Sequence, residues 1–363
     1  MTFGRSLKKE SGIGSRRHYD NSTLSTRKIT LESRFSHKIQ TYLFYEKMAS
    51  STILSIHLIV NSVQITNTNI MKTLLIILGL TIATNSFAQR INLDSLILSK
   101  KPKYLEGVVP VYVIPGYETK AILWQSTITE AKKFFENKYP RTSIKAKLAV
   151  LDSTNWTNEV YAYGYTYGSK GWIVLPGDED FSDYLRIFGA APFRKELINA
   201  YNENGLDPNE LPVISFQFVA VHELGHLIVQ QLIKEGIPGE YLNEVVANIL
   251  AWEFFKTHKP EVMNSIELFF DVFRKNYTNP KYTTLRELSE NYGKMDMPNY
   301  VWYHINMLRL VEEIYAVKDV DLLSCIMEIR QEREIQNLDN ITMGSLLDKY
   351  YNGIFSRWLA KYN

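Results

Sequence analysis

The sequence predicts an α+β protein: a small mixed α/β lobe with an edge hairpin, followed by a mainly helical lobe. Three observations carry this. Residues 108–176 hold short runs of β-branched and aromatic residues separated by turn residues. From Ile214 onward, apolar residues recur at helical spacing. At the join lies a segment, 215–234, that is apolar nearly all round, the mark of a central buried helix.

Taken in order, residues 108–114 (Val-Val-Pro-Val-Tyr-Val-Ile) read as a strand, and 123–138 as a helix ending before Pro140. Lys145 to Leu151 reads as a second strand. Tyr161, Tyr163, Tyr165 and Tyr167 fall at period two, which puts four aromatic rings on one strand face. Gly168-Ser169-Lys170-Gly171 supplies a turn, and Trp172–Pro176 returns as the hairpin partner, with Pro176 at a strand end where no ladder donor is needed. Residues 178–212 are short amphipathic pieces. Helices are expected over 215–234, 240–258, 262–275, 298–316, 319–335 and 342–360. The expected lobes are therefore 89–213 and 214–363, and no internal repeat is present.

The formal charge of +2 hides an asymmetry. Residues 1–88 hold 11 Lys+Arg against 4 Asp+Glu, which leaves 30 against 35 for 89–363. Nothing in the body of the chain suggests a nucleic-acid surface. Met71–Ala83 reads as a secretory signal: Lys72, an apolar run of about ten residues, then Ser86-Phe87-Ala88 at cleavage spacing. That run is short of the roughly 20 residues a membrane span needs. The expectation is export to a secreted or periplasmic location with cleavage after Ala88, and membrane association only if 71–88 stays uncleaved. Residues 1–70, rich in Ser, Thr and Arg, are expected to be upstream sequence ahead of a true initiator at Met71; a disordered cytoplasmic tail is the alternative. Cys325 is the single cysteine, so no intrachain disulfide supports the exported body.

The chemistry sits in His222-Glu223-Leu224-Gly225-His226. Residues four apart on a helix project about 40° apart, one turn above the other, so both imidazoles can reach one ion at about 2.0–2.1 Å. Glu223, rotated about 100°, can touch a water on that ion without ligating it. Gly225 costs roughly 1 kcal/mol inside a helix, which argues that something must approach closely there. Histidine is scarce beyond residue 88, with only His222, His226, His258 and His304. The bland reading, two hydrogen-bonded core histidines, leaves a buried carboxylate beside them unaccounted for.

A third ligand must come from another element. Helix 240–258 follows a tight turn and should run antiparallel to 215–234, which brings Glu244 level with the histidines. Asn248, one turn on, is placed to orient a ligating imidazole. Glu240 and Glu253 are the rivals and read as solvated. His258 reads as a surface residue.

These two segments, His222-Glu223-Leu224-Gly225-His226 and Asn243-Glu244-Val245-Val246-Ala247-Asn248, resemble the gluzincin branch of the zincin metallopeptidases over about 45 residues. The resemblance implies a zincin-like fold, with His222, His226 and Glu244 binding Zn²⁺, Glu223 as general base, and a peptide or protein substrate. No Gly-x-Met-Glu-Asn segment is present, which sets the chain apart from the large aminopeptidases. Three protein ligands leave zinc an open position where a water is acidified. The oxyanion formed by attack on a carbonyl needs a further donor, for which Tyr303 and His304 are the candidates, with Tyr300 behind them. By the same resemblance an edge strand holds the substrate, and 172–176 is the expected strand. The expected activity is that of an exported zinc metallopeptidase. The alternatives are a zincin-fold binding protein without turnover, and a membrane-anchored protein with a structural zinc site.

Overall fold

The computed structural model describes residues 93–362 apart from 141, 153–166, 170, 179, 234–235, 292–294, 318–319, 333 and 336–337. The chain divides after Arg90, and every described residue belongs to the second unit, Ile91–Asn363. The signal segment expected at 71–88, the residues before it, and Tyr161, Tyr163 and Tyr165 lie outside the described residues.

A short helix α1 (Leu93–Ser99) precedes strands β1 (Lys103–Leu105) and β2 (Val111–Val113). Helix α2 (Glu118–Lys138) crosses to β3 (Lys147–Leu151), and the hairpin β4 (Tyr167–Ser169) and β5 (Trp172–Pro176) follows. The five strands lie in the order β1-β2-β3-β5-β4. β2, β3 and β5 are mutually parallel, while β1 and β4 run antiparallel on the two edges of the sheet formed by the described residues. Every residue of β5 is buried, as expected for a strand with neighbours on both sides and both faces covered. Trp172–Pro176 is therefore not the edge strand expected from the sequence. β3, with its own apolar run, pairs with β5 more favourably than solvent does, and β4 becomes the outer strand.

Side chains alternate between the two faces of the sheet. Leu148, Val150, Ile173 and Leu175 join the main core, whereas Ala149, Leu151, Trp172 and Val174 meet Ile97 of α1 in a second, smaller one. Asp94 fixes α1 there by accepting from Trp172 Nε1 (3.0 Å) and pairing with Lys147.

Two short helices, α3 (Phe181–Ile187) and α4 (Arg194–Glu203), lead to α5 (Leu211–Leu232). Pro212 occupies the first turn of α5, where a missing N–H costs nothing. Pro208–Leu232 is apolar and long enough to cross a membrane, but 83% of its most apolar window is buried in this fold, so its composition is explained by a central position. β4 and β5 pack on α5 from one side and α6 (Glu240–His258) from another. The remaining helices are α7 (Pro260–Asn276), α8 (Leu285–Asn291), α9 (Met297–Tyr315), α10 (Leu322–Glu332), α11 (Asn340–Tyr351) and α12 (Ile354–Tyr362).

The helix expected over 342–360 is broken in two. Asn352 is left-handed (φ 49°) and Gly353 follows at φ 78°, conformations that end a helix. Asp348 then accepts from the amides of Phe355 (2.8 Å) and Ser356 (3.0 Å), satisfying the start of α12. The architecture is mixed and mostly helical, in keeping with the α+β class.

Candidate metal centre

Helices α5 and α6 pack antiparallel, with His222 opposite Asn248, Gly225 opposite Ala247, and His226 opposite Glu244. This register follows from the sequence. A turn of few residues forces the two helices side by side, and their small residues let them close up. A methyl group at Gly225 would stand 2.9 Å from Ala247 Cα, so only glycine allows this spacing.

Three donor atoms converge as a result. His222 Nε2 lies 3.1 Å from Glu244 Oε2, His226 Nε2 lies 3.5 Å from the same oxygen, and the two ring nitrogens are 3.1 Å apart. Ligands about 2.0–2.1 Å from a tetrahedral ion are separated by roughly 3.3 Å from one another. The triangle therefore already has the edge lengths of a metal-binding face. All three residues are buried. His222 Nδ1 donates to Asn248 Oδ1 at 2.8 Å, which fixes the tautomer and turns the Nε2 lone pair toward Glu244.

Electrostatics follow from burying one carboxylate among imidazoles. Burial opposes ionisation of Glu244, yet His226, His222 and His304 together hold its pKa well below the usual carboxylate range. Burial likewise works against a charged His226, but Glu244, with Glu223 and Asn243 adding, pushes its pKa up to about 9. A buried carboxylate facing two imidazoles is an arrangement that stabilises a cation. The nitrogen and oxygen donor set suits a divalent metal ion of borderline hardness. The group His222, His226 and Glu244 can thus hold a metal ion.

The fourth histidine of the unit comes close as well. His304, on α9, places Nε2 at 3.9 Å from Glu244 Oε2, with its ring 6.0 Å from that of His222. That nitrogen is buried and makes no hydrogen bond among the described residues. Burial, reinforced by His222 and His226 and partly offset by Glu244, lowers the His304 pKa to about 4, so the ring is neutral at physiological pH. Tyr300, one turn earlier on the same face, lies against the His304 ring at 4.3 Å.

Tyr303 does not join them. One residue from His304 is a rotation of about 100°, so the two cannot face the same way. Its buried hydroxyl instead donates to Thr284 O at 2.7 Å. Together with Asn299, which bonds both the amide and the carbonyl of Tyr282, it ties the 282–284 segment to the start of α9. Glu223 is buried beside His222, on the strip of α5 next to the ligands.

The rivals fall away differently. Glu253 is not simply solvated: it pairs with Lys138 at 2.6 Å. His258 is exposed, stacked on Phe254. Sequence reasoning expected a helix over 342–360 but did not bring its C-terminal part beside the site. Trp358 Nε1 donates to Asn306 O (3.2 Å), and Tyr362 OH donates to Asn306 Oδ1 (2.7 Å), two residues beyond His304. Trp358 also stacks on Tyr241, three residues before Glu244. Only the clustering of aromatic residues near the C-terminus hinted at a docked helix. No family model matches this sequence, and comparison with curated proteins returns no match.

Proposed function

We propose that this chain is a zinc-dependent metallopeptidase with a gluzincin-like site and a zincin-like fold, acting on peptide bonds outside the cytoplasm. The observation that carries the reading is the triangle of His222 Nε2, His226 Nε2 and Glu244 Oε2, with sides of 3.1, 3.5 and 3.1 Å, flanked by a buried Glu223 that is not part of it. The three would hold zinc, which when bound acidifies water towards pH 7 and polarises a carbonyl from an open position.

The chain's own groups account for the rest. Glu223 accepts a proton from the attacking water and returns it to the leaving amine, so that neither charged product forms unassisted. Asn248 keeps the His222 ring in one tautomer. His304, neutral and with an Nε2 that makes no hydrogen bond among the described residues, donates to the carbonyl oxygen as charge develops there. Substrate would lie along β4, the sheet edge packed against α5.

The experiment is metal analysis and a peptide-library digest of the full chain, beside Glu223→Gln. Zinc in both proteins, with cleavage by the parent alone, supports the reading. Cleavage that survives the substitution rejects Glu223 as the base.

One observation favours a second reading. His304 Nε2 stands 3.9 Å from Glu244 Oε2, close enough that a small shift of α9 would make it a fourth ligand and close a structural zinc site. His304→Ala separates the two. A structural site loses zinc, whereas a catalytic one keeps zinc and loses turnover.

A further inference from the structure

We propose that a cavity beside α5, one turn beyond Glu223, receives an acidic side chain of the substrate, with Lys145 as its cation. The inference rests on the peptidase reading above and adds a substrate class to it.

The cavity measures about 580 Å³, within the usual range for ligand pockets. Its walls include Thr142, Ser143, Lys145, Leu227, Gln230 and Gln231. Helix geometry ties it to the catalytic strip. Counting about 100° per residue from His222, His226 falls near 40°, Gln230 near 80°, Glu223 near 100°, Leu227 near 140° and Gln231, which anchors Lys145, near 180°. Glu223, Leu227 and Gln230 thus share one side of α5, next to the ligand-bearing side. A substrate whose scissile bond meets Glu223 meets this cavity from about 6 Å further along the helix, at Leu227, to about 12 Å, at Gln231, where Lys145 is anchored.

The chemistry of the walls is one-sided. No acidic side chain lines the cavity among the described residues, and the ammonium of Lys145 makes no ion pair among them. Leu227 offers an apolar contact for methylene groups, while Thr142, Ser143 and the two glutamines offer polar ones. The backbone of the lysine is held in place. Gln231 Oε1 accepts from Lys145 N (3.0 Å), and Gln231 Nε2 donates to Lys145 O (3.4 Å), so the base of the lysine is fixed to α5. Gly171, at the turn joining β4 to β5, completes the wall. A peptide extended along β4 therefore passes the cavity mouth. An extended chain advances about 3.4 Å per residue, so the acidic side chain belongs roughly three or four residues from the scissile bond.

The test is a digest by the full-length, zinc-loaded protein of peptides that differ only in carrying Glu or Lys at each position. The parent should favour Glu by roughly fivefold in kcat/KM at one position, the scale of a partly exposed charge pair. Lys145→Glu should reverse that preference at the same position, and Lys145→Ala should abolish it. Both variants keep the backbone bonds to Gln231, and their zinc content verifies an intact centre. Cleavage by the parent with the same charge preference in all three proteins overturns the subsite while leaving the peptidase reading standing. A zinc-loaded parent that cleaves none of the peptides overturns both.

Discussion

Gly225 and Ala247 set the spacing of the two helices that carry the metal-binding group: a Cβ at Gly225 would meet Ala247 Cα at 2.9 Å and its carbonyl oxygen at 3.2 Å. These are backbone atoms, which cannot rotate aside. His226 follows Gly225 directly and Glu244 lies less than one turn before Ala247, so any separation of α5 from α6 opens the donor triangle. Gly225→Ala should therefore cost about 1–3 kcal/mol of stability by overpacking. It should also weaken metal binding by at least about tenfold, the lower end for disturbed ligand support. Denaturant unfolding and chelator competition check the two parts. A variant that loses stability but binds metal normally would show that the helix spacing does not govern the site.

Metal affinity should climb with pH. In the metal-free protein His226 is raised from 6.5 to about 9, because Glu244 outweighs the opposing effect of burial. A raised histidine pKa stabilises the fold below 6.5, and that contribution is lost as pH rises from 6.5 to 9. His304 runs the other way. Its pKa is lowered to about 4, so the stability it contributes is present above 6.5 and lost as pH falls from 6.5 to 4. A metal ion must displace the proton on His226, so apparent affinity should rise about tenfold per pH unit between 6.5 and 9 and then level off. Competition against a chelator of known protonation, across that window, measures the slope. A flat profile contradicts a protonated His226.

Lys138 should act as a structural clasp rather than as part of any site. It pairs with Glu253 of α6 at 2.6 Å and with Asp321 at 2.8 Å, and Tyr139 OH also donates to Asp321. Burial opposes the charges on Lys138 and Asp321, but Lys138 holds the Asp321 pKa below 3.8, and the two carboxylates hold Lys138 above 10.5. Lys138→Met leaves two carboxylates without their cation, and should destabilise by about 1–3 kcal/mol, between exposed and fully buried pairs. Asp321, being depressed, contributes stability above 3.8 that is lost as pH falls through its folded value. Lys138, being raised, contributes stability below 10.5 that is lost at higher pH. The difference between parent and variant should therefore be constant near neutrality and shrink in acid. Unfolding curves at several pH values measure it.

The legible parts of this protein are those set by local rules. The spacing of His222 and His226 already placed two rings on one helix face, and a short turn made α5 and α6 antiparallel, so Glu244 and Asn248 followed by counting residues. Strand order was not legible, because it depends on which of several apolar segments pair across the sheet. β5 went inside because β3 was a parallel partner of matching length. The break at Asn352 was equally hidden, since Asn352-Gly353 ends a helix only when a chain reversal buries α12 against α9. Nothing in the spacing of Tyr303 and His304 said which of them faced inward, because helical rotation has no origin until a neighbour is known.

That last ambiguity gives the sharpest test. Tyr303 OH is bonded to Thr284 O, whereas His304 Nε2 is buried, unbonded among the described residues, and 3.9 Å from Glu244 Oε2. If His304 stabilises the oxyanion, His304→Phe should lower kcat by about 10²–10³, as when one oxyanion donor is removed, with zinc content unchanged. Tyr303→Phe should leave kcat within about twofold and cost about 1 kcal/mol of stability, the value of one hydrogen bond. The loss should appear in kcat rather than KM, because the donor acts on charge that exists only in the transition state. Equal losses in both variants would point to a general disturbance of α9. Loss confined to Tyr303→Phe would exchange the roles assigned to the two residues.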